Sequence, residues 1–250
     1  MSVDVREEVP ESLFDEVFAW FGRVDALFST WRDDSEIVRL ARGRLARDGS
    51  SPETRTVLDL CEALSVATGG AFDIAATALL PPPHPPGWCP LDPSAVVKGW
   101  ALDRAGNRLT AAGVRRFCLN AGGDVLVGAG PGPGDLWRVG IQHPWQRAHL
   151  ADVVEVADAA VATSGRYERG SHIVDPRSGR RATGLASVTV VASDLATADA
   201  YSTAILALGR DGLDWLAGHG EVDALVITDD QQVFTTLGFG RCRERGILGR

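Results

Sequence analysis

Asp199 and Thr203 stand four residues apart in a stretch that reads as helix, so they share one face. A carboxylate and a hydroxyl are hard oxygen donors, suited to Mg²⁺ and not to zinc. Their neighbours are small (Ala196, Ala198, Ala200, Ser202, Ala204), so that face can approach a ligand or another backbone closely. Asp199 also fits a plainer role, an acidic residue favoured by the helix dipole. His172 lies three residues before Asp175, in a segment between strands. An imidazole oriented by a carboxylate can serve as a general base, and the same position fits an ordinary solvated loop histidine. Lys98 is the only lysine in the chain, one turn into a helix that follows Asp92. A lysine near a helix start can hold a phosphate, or simply lay its stem along the surface.

Two glycine-rich segments add to this set. In Gly69-Gly70-Ala71-Phe72-Asp73 small residues let a ligand reach the backbone just past a helix end. A plain helix terminus with a buried Phe explains it as well. Asn120-Ala121-Gly122-Gly123-Asp124 separates two apolar runs and has the composition of a hairpin turn. A functional loop is possible there but not demanded.

Several elements must position these residues. A helix is expected from Ser12, with Leu13, Val17, Phe18, Phe21, Val24 and Phe28 at helical spacing. A polar break around Trp31 and a short amphipathic stretch at Ile37–Leu45 follow. Ser51-Pro52 marks a second helix start, and Ser94 is the expected N-cap of a helix over 94–112. Between these two helices, residues 81–93 hold seven prolines, which predicts a loop or linker. Strands are expected at 114–119, 125–127, 136–141, 153–156, 159–163 and 185–192. A helix over 197–208 and a hairpin of 224–228 with 233–236 complete the chain. The order gives a single α+β domain over 1–250, with antiparallel sheets and packed helices, and not alternating βαβ units.

Bulk properties exclude several classes. A net charge of −8 without a basic block argues against nucleic-acid and anionic-membrane binding. Cys61, Cys89, Cys118 and Cys242 are too scattered for a zinc site or a redox dithiol and are expected to be reduced. No apolar run is long enough to span a bilayer. The opening MSVDVREEVP lacks the pattern of a signal peptide, which predicts a cytoplasmic protein.

Taken in order, these segments resemble the ApbE family, the FAD:protein FMN transferases. The resemblance rests on Trp31 with Ser35-Glu36, GGAFDIAATAL (69–79), DPSAVVKGWALDRA (92–105), NAGGD (120–124), TSGRYER (163–169), HIVDPRSG (172–179) and ASVTVVA…TADAYSTAILALG (186–209). It implies a T-fold-like core and a cleft for FAD lined by Trp31, Ala71, Phe72, Asp73, Asp92, Lys98 and Ile173. It implies Mg²⁺ held by Asp199, Thr203 and the main-chain oxygen of Ala95, and it makes His172 the base. The implied reaction is Mg²⁺-dependent transfer of FMN from FAD to a Thr or Ser hydroxyl of an acceptor flavoprotein, releasing AMP. Hydrolysis of FAD to FMN and AMP, and FAD binding without turnover, are the alternatives.

Overall fold

Among the described residues eleven strands carry the frame: β1 (Ser2–Val5), β2 (Phe117–Ala121), β3 (Asp124–Gly128), β4 (Trp137–Gln142), β5 (Leu150–Val156), β6 (Ala159–Gly165), β7 (Val174–Asp175), β8 (Arg180–Arg181), β9 (Leu185–Ala192), β10 (Asp223–Thr228) and β11 (Val233–Thr235). The computed structural model describes residues 1–79, 82, 88–129, 136–166 and 173–242. Seven strands form one antiparallel sheet in the order β1-β2-β3-β6-β9-β10-β11. All residues of β3, and all but the last of β9, are buried. Such continuously apolar strands need cover on both faces.

Helices cover one face: α1 (Glu11–Phe28), α2 (Glu36–Ala41), α3 (Pro52–Ala67), α4 (Ser94–Ala111), α5 (Leu195–Leu208) and α6 (Asp211–Ala217). Leu102, Leu109, Leu195, Ile205 and Val188 meet in this larger core. The β4–β5 hairpin and the short α7 (Phe239–Cys242) cover the other face, where Ile141, Val154 and Phe239 pack on Val125, Val161 and Leu225. Eleven of the 14 residues of α5 are buried, so this helix is apolar nearly all round and lies at the centre.

Helix α4 crosses α5 at Gly99. A Cβ there would stand 2.5 Å from the backbone carbon and oxygen of Leu195, so only glycine permits this approach. One turn on, the Asp103 carboxylate accepts hydrogen bonds from the amides of Leu195 (2.8 Å) and Ala196 (3.0 Å), satisfying donors that a helix start leaves open. Burial pushes the Asp103 carboxyl up to about 6 against the lowering effect of those two amides.

Three helix starts differ from expectation. Helix α1 begins at Glu11 behind Pro10, whose carbonyl accepts from Leu13, and Ser12 makes no cap bond. Ser94 lies inside α4, and the capping carboxylate is Asp92, which accepts from the Ser94 amide at 3.0 Å. Helix α5 starts at Leu195, earlier than expected, because Asp194 caps it through Thr197 N (2.8 Å) and Asp103 adds two further acceptors. Strand β2 begins at Phe117 and not at Val114, since the amides of Arg115 and Arg116 bond to Glu7. The free state expected of the cysteines holds for all four. No described helix is long and apolar enough to cross a membrane.

Candidate active site

The predicted residues come from segments far apart in the chain, and the fold brings ten of the eleven to one cleft. Trp31, Ala71, Phe72, Asp73, Asp92, Ala95, Lys98, Ile173, Asp199 and Thr203 all line a cavity of about 440 Å³. Such a volume suits a cofactor-sized ligand. His172 lies outside the described residues.

Local hydrogen bonds explain how each wall is held. Ser35 caps α2 through Val38 N and donates its hydroxyl to Ser29 O (2.8 Å), closing the turn that presents Trp31. Trp31 is 72% exposed and lines the cleft, an unusual position for an indole unless a ligand or partner covers it. Thr68 accepts from Phe72 N (3.0 Å) and donates to Leu64 O (2.8 Å), fixing the Ala71-Phe72 bend at the end of α3. Asp73 closes its own turn by accepting from Ala75 N (2.8 Å). Asp92 N donates to Ile74 O (2.7 Å), which ties this bend to the start of α4. Ala182 N donates to Ile173 O (2.9 Å), holding Ile173 beside the small β7–β8 hairpin.

The floor of the cleft is charged. Lys98 Nζ pairs closely with Asp124 and lies 3.5 Å from Asp199 Oδ2. Both carboxylates are buried, whereas the lysine side chain is 38% exposed towards the cavity. Burial works against the ammonium, but Asp199 and Asp124 outweigh it and hold its pKa above the ordinary lysine value. Hydroxyls form the neighbouring surface: Ser164 Oγ lies 2.9 Å from Ser202 Oγ and 3.1 Å from Thr203 Oγ1, and Ser202 donates to Asp199 O (2.9 Å).

Asp175 is occupied by its own turn. It accepts from Arg177 N and Nε (both 3.0 Å) and from Ser178 Oγ (3.0 Å), and these partners lower its pKa against the opposing effect of burial. The segment after His172 is therefore fixed by Arg177 and Ser178.

Asp124, Ser164 and Ser202 lie in segments that the sequence singles out, but none of them is among its expected site residues. Asp124 was hidden by a correct turn assignment. Gly122 and Gly123 both have positive φ (65° and 99°) and Ala121 pairs with Asp124, as in a two-residue hairpin turn. The turn accounts for Asn120 and both glycines, but not for a carboxylate buried beneath it.

The donor set fits a hard divalent cation. Asp124 and Asp199 together carry two negative charges against the single charge of Lys98, and Thr203, which has a hydroxyl, lines the same cleft. Among the described residues no group of three or more His, Cys, Asp or Glu side chains is placed to hold a metal. A larger trough, about 670 Å³, lies between α6 and the β10–β11 hairpin. It contains none of the predicted residues and no buried ion pair, so the smaller, charged cleft is the candidate site.

The antiparallel α+β frame carries a charged cleft between α4 and α5. The chain belongs to the ApbE family, whose model matches residues 1–81 and 85–226. A Rhodobacter capsulatus relative named FAD:protein FMN transferase is 40% identical over 58% of this chain and 29% of its own length. A Vibrio cholerae relative of the same name is 30% identical over 56% of this chain and 46% of its own length. The matched part of the chain thus spans less than half of either relative. The Pseudomonas stutzeri flavinyl transferase ApbE superposes with a TM-score of 0.80 at 26% identity, covering 98% of this chain and 93% of that one. The Vibrio cholerae flavin transferase ApbE shares the fold with the same TM-score at 23% identity.

Proposed function

We propose that this protein transfers the FMN half of FAD to a Thr or Ser hydroxyl of an acceptor protein, with AMP leaving. The observation that carries the reading is the convergence of the AFD bend, the start of α4 and the face of α5 on one cleft with a Lys98–carboxylate floor. The names of the relatives support it.

In this reading Trp31, Phe72 and Ile173 provide apolar surface for the rings of FAD. Asp73 and Asp92 offer carboxylate oxygens at the rim. Lys98 faces the pyrophosphate, where an ammonium offsets its negative charge. Asp199, Thr203 and the Ala95 carbonyl would hold Mg²⁺. When bound, the ion neutralises charge on the phosphate oxygens and on the departing AMP. His172 takes the proton of the acceptor hydroxyl, a poor nucleophile until that proton is removed. The new bond joins the acceptor oxygen to the FMN phosphorus. The bond that breaks is the one from that phosphorus to the bridging oxygen, which departs with AMP. The whole chain acts as one such unit.

Release of AMP from FAD, followed with and without an acceptor protein, tests the reading. Transfer requires AMP to appear in step with modified acceptor. AMP formed equally without acceptor would mean hydrolysis, and no AMP in either case would leave a binding protein. Replacing His172 by Ala is expected to slow transfer at least ~100-fold at saturating FAD while leaving FAD affinity unchanged.

A further inference from the structure

Asp124 is 2% exposed and follows directly on the Gly122-Gly123 turn. A buried carboxylate is costly unless charge and hydrogen bonds compensate it. Its two oxygens have separate duties. Oδ1 accepts from Thr163 N at 3.0 Å, closing the β3–β6 ladder just past the Val125–Val161 pair. Oδ2 pairs with Lys98 Nζ. The same ammonium lies 3.5 Å from Asp199 Oδ2, so one cation stands between two buried carboxylates and sits closer to Asp124. Closing the ladder needs only an oxygen acceptor. The charge at position 124 is explained by Lys98.

We propose that Asp124 is a positioning residue that retains the Lys98 ammonium, so that the Asp199 carboxylate is available to a divalent cation while Lys98 stays directed at the cleft. This rests on the reading of Asp199 as a cation ligand. Without the charge of Asp124, Lys98 turns to Asp199 and competes with the cation there. Residues behind a metal ligand tune affinity in this way, and their loss typically costs ~10- to 100-fold.

The test is calorimetric titration of FAD-free protein with Mg²⁺. Asp124→Asn keeps the size of the side chain and an oxygen for Thr163 N, but removes the charge. Mg²⁺ affinity is expected to fall ~10- to 100-fold. Adding Lys98→Met to that variant removes the competing ammonium and is expected to recover most of the loss. A purely structural role for Asp124 predicts no recovery. Unchanged affinity in Asp124→Asn, or a double variant as weak as the single one, overturns the proposal alone. Failure of the wild type to bind Mg²⁺ overturns it together with the cation reading of Asp199. Should Asp124→Asn not fold, a crystal structure of the wild type with Mg²⁺ decides. Lys98 still on Asp124 and farther from Asp199 supports the proposal, and Lys98 displaced from Asp124 overturns it.

Discussion

Helices α4 and α5 meet in two places, and each contains a buried or half-buried aspartate used in a different way. At the crossing, Asp103 gives both oxygens to the backbone amides of Leu195 and Ala196 beside the Gly99 contact. Further along α5, Asp199 lies on the cleft facing the Lys98 ammonium. The first carboxylate is committed to the backbone and sets how the helices cross. The second faces a cavity and a side-chain cation. Burial and charge alone do not separate scaffold from site, but the identity of the partner does: backbone amides in one place, a side-chain ammonium at a cavity in the other.

Exchange at these two places breaks different things. The largest effect is expected from Asp199→Ala. Mg²⁺-dependent FMN transfer should fall by roughly 10³-fold or more, since the ion supplies several kcal/mol of charge stabilisation. Thermal melting without Mg²⁺ should still show a cooperative fold, because Lys98 keeps Asp124 as its partner. Unfolding of this variant would place Asp199 with the scaffold.

Next comes Gly99→Ala. The added methyl meets the Leu195 backbone, which cannot rotate away, and overpacking of this kind costs about 1–3 kcal/mol. Denaturant unfolding should report that loss. Wild-type stability would show that the two helices are free to separate.

The Asp103 effect depends on pH. Its folded-state pKa of about 6 lies above the ordinary aspartate value of 3.8, so the folded state binds the proton more tightly. This group therefore favours the fold most fully below its unfolded pKa and loses that contribution as pH rises through the folded value. Asp103→Asn should remove this component, leaving a flatter stability profile between roughly pH 4 and 6. Parallel profiles for variant and wild type over that range would contradict the assignment. Smallest of all, Trp31→Ala should weaken FAD by about 1 kcal/mol without affecting stability, because the ring packs on no core and its value is in stacking. Unchanged FAD affinity in calorimetry would remove Trp31 from the cleft's contacts.

The sequence made the site more legible than its supports. Strand β9 matches its expected bounds, 185–192, because β-branched residues fill it and turns flank it. Strands β7 and β8 have two residues each, too few for any periodicity, and α6 has only seven. Asp103 has no local partner to mark it in the sequence, since the amides it binds are 92 and 93 residues away. Gly99 did carry a signal. A glycine inside a helix costs about 1 kcal/mol relative to alanine, and such a residue points to a close approach. Asp124 was obscured because local turn chemistry explained its segment before burial could be considered.

The intact mass of the acceptor tests FMN transfer most directly. Incubated with FAD, Mg²⁺ and catalytic amounts of this protein, a suitable acceptor should gain the mass of one FMN group, held through a Thr or Ser. The gain should vanish with a chelator and with Asp199→Ala. An acceptor that stays at its original mass while AMP accumulates, or one that gains FMN as fast with Asp199→Ala as with the wild type, would contradict it.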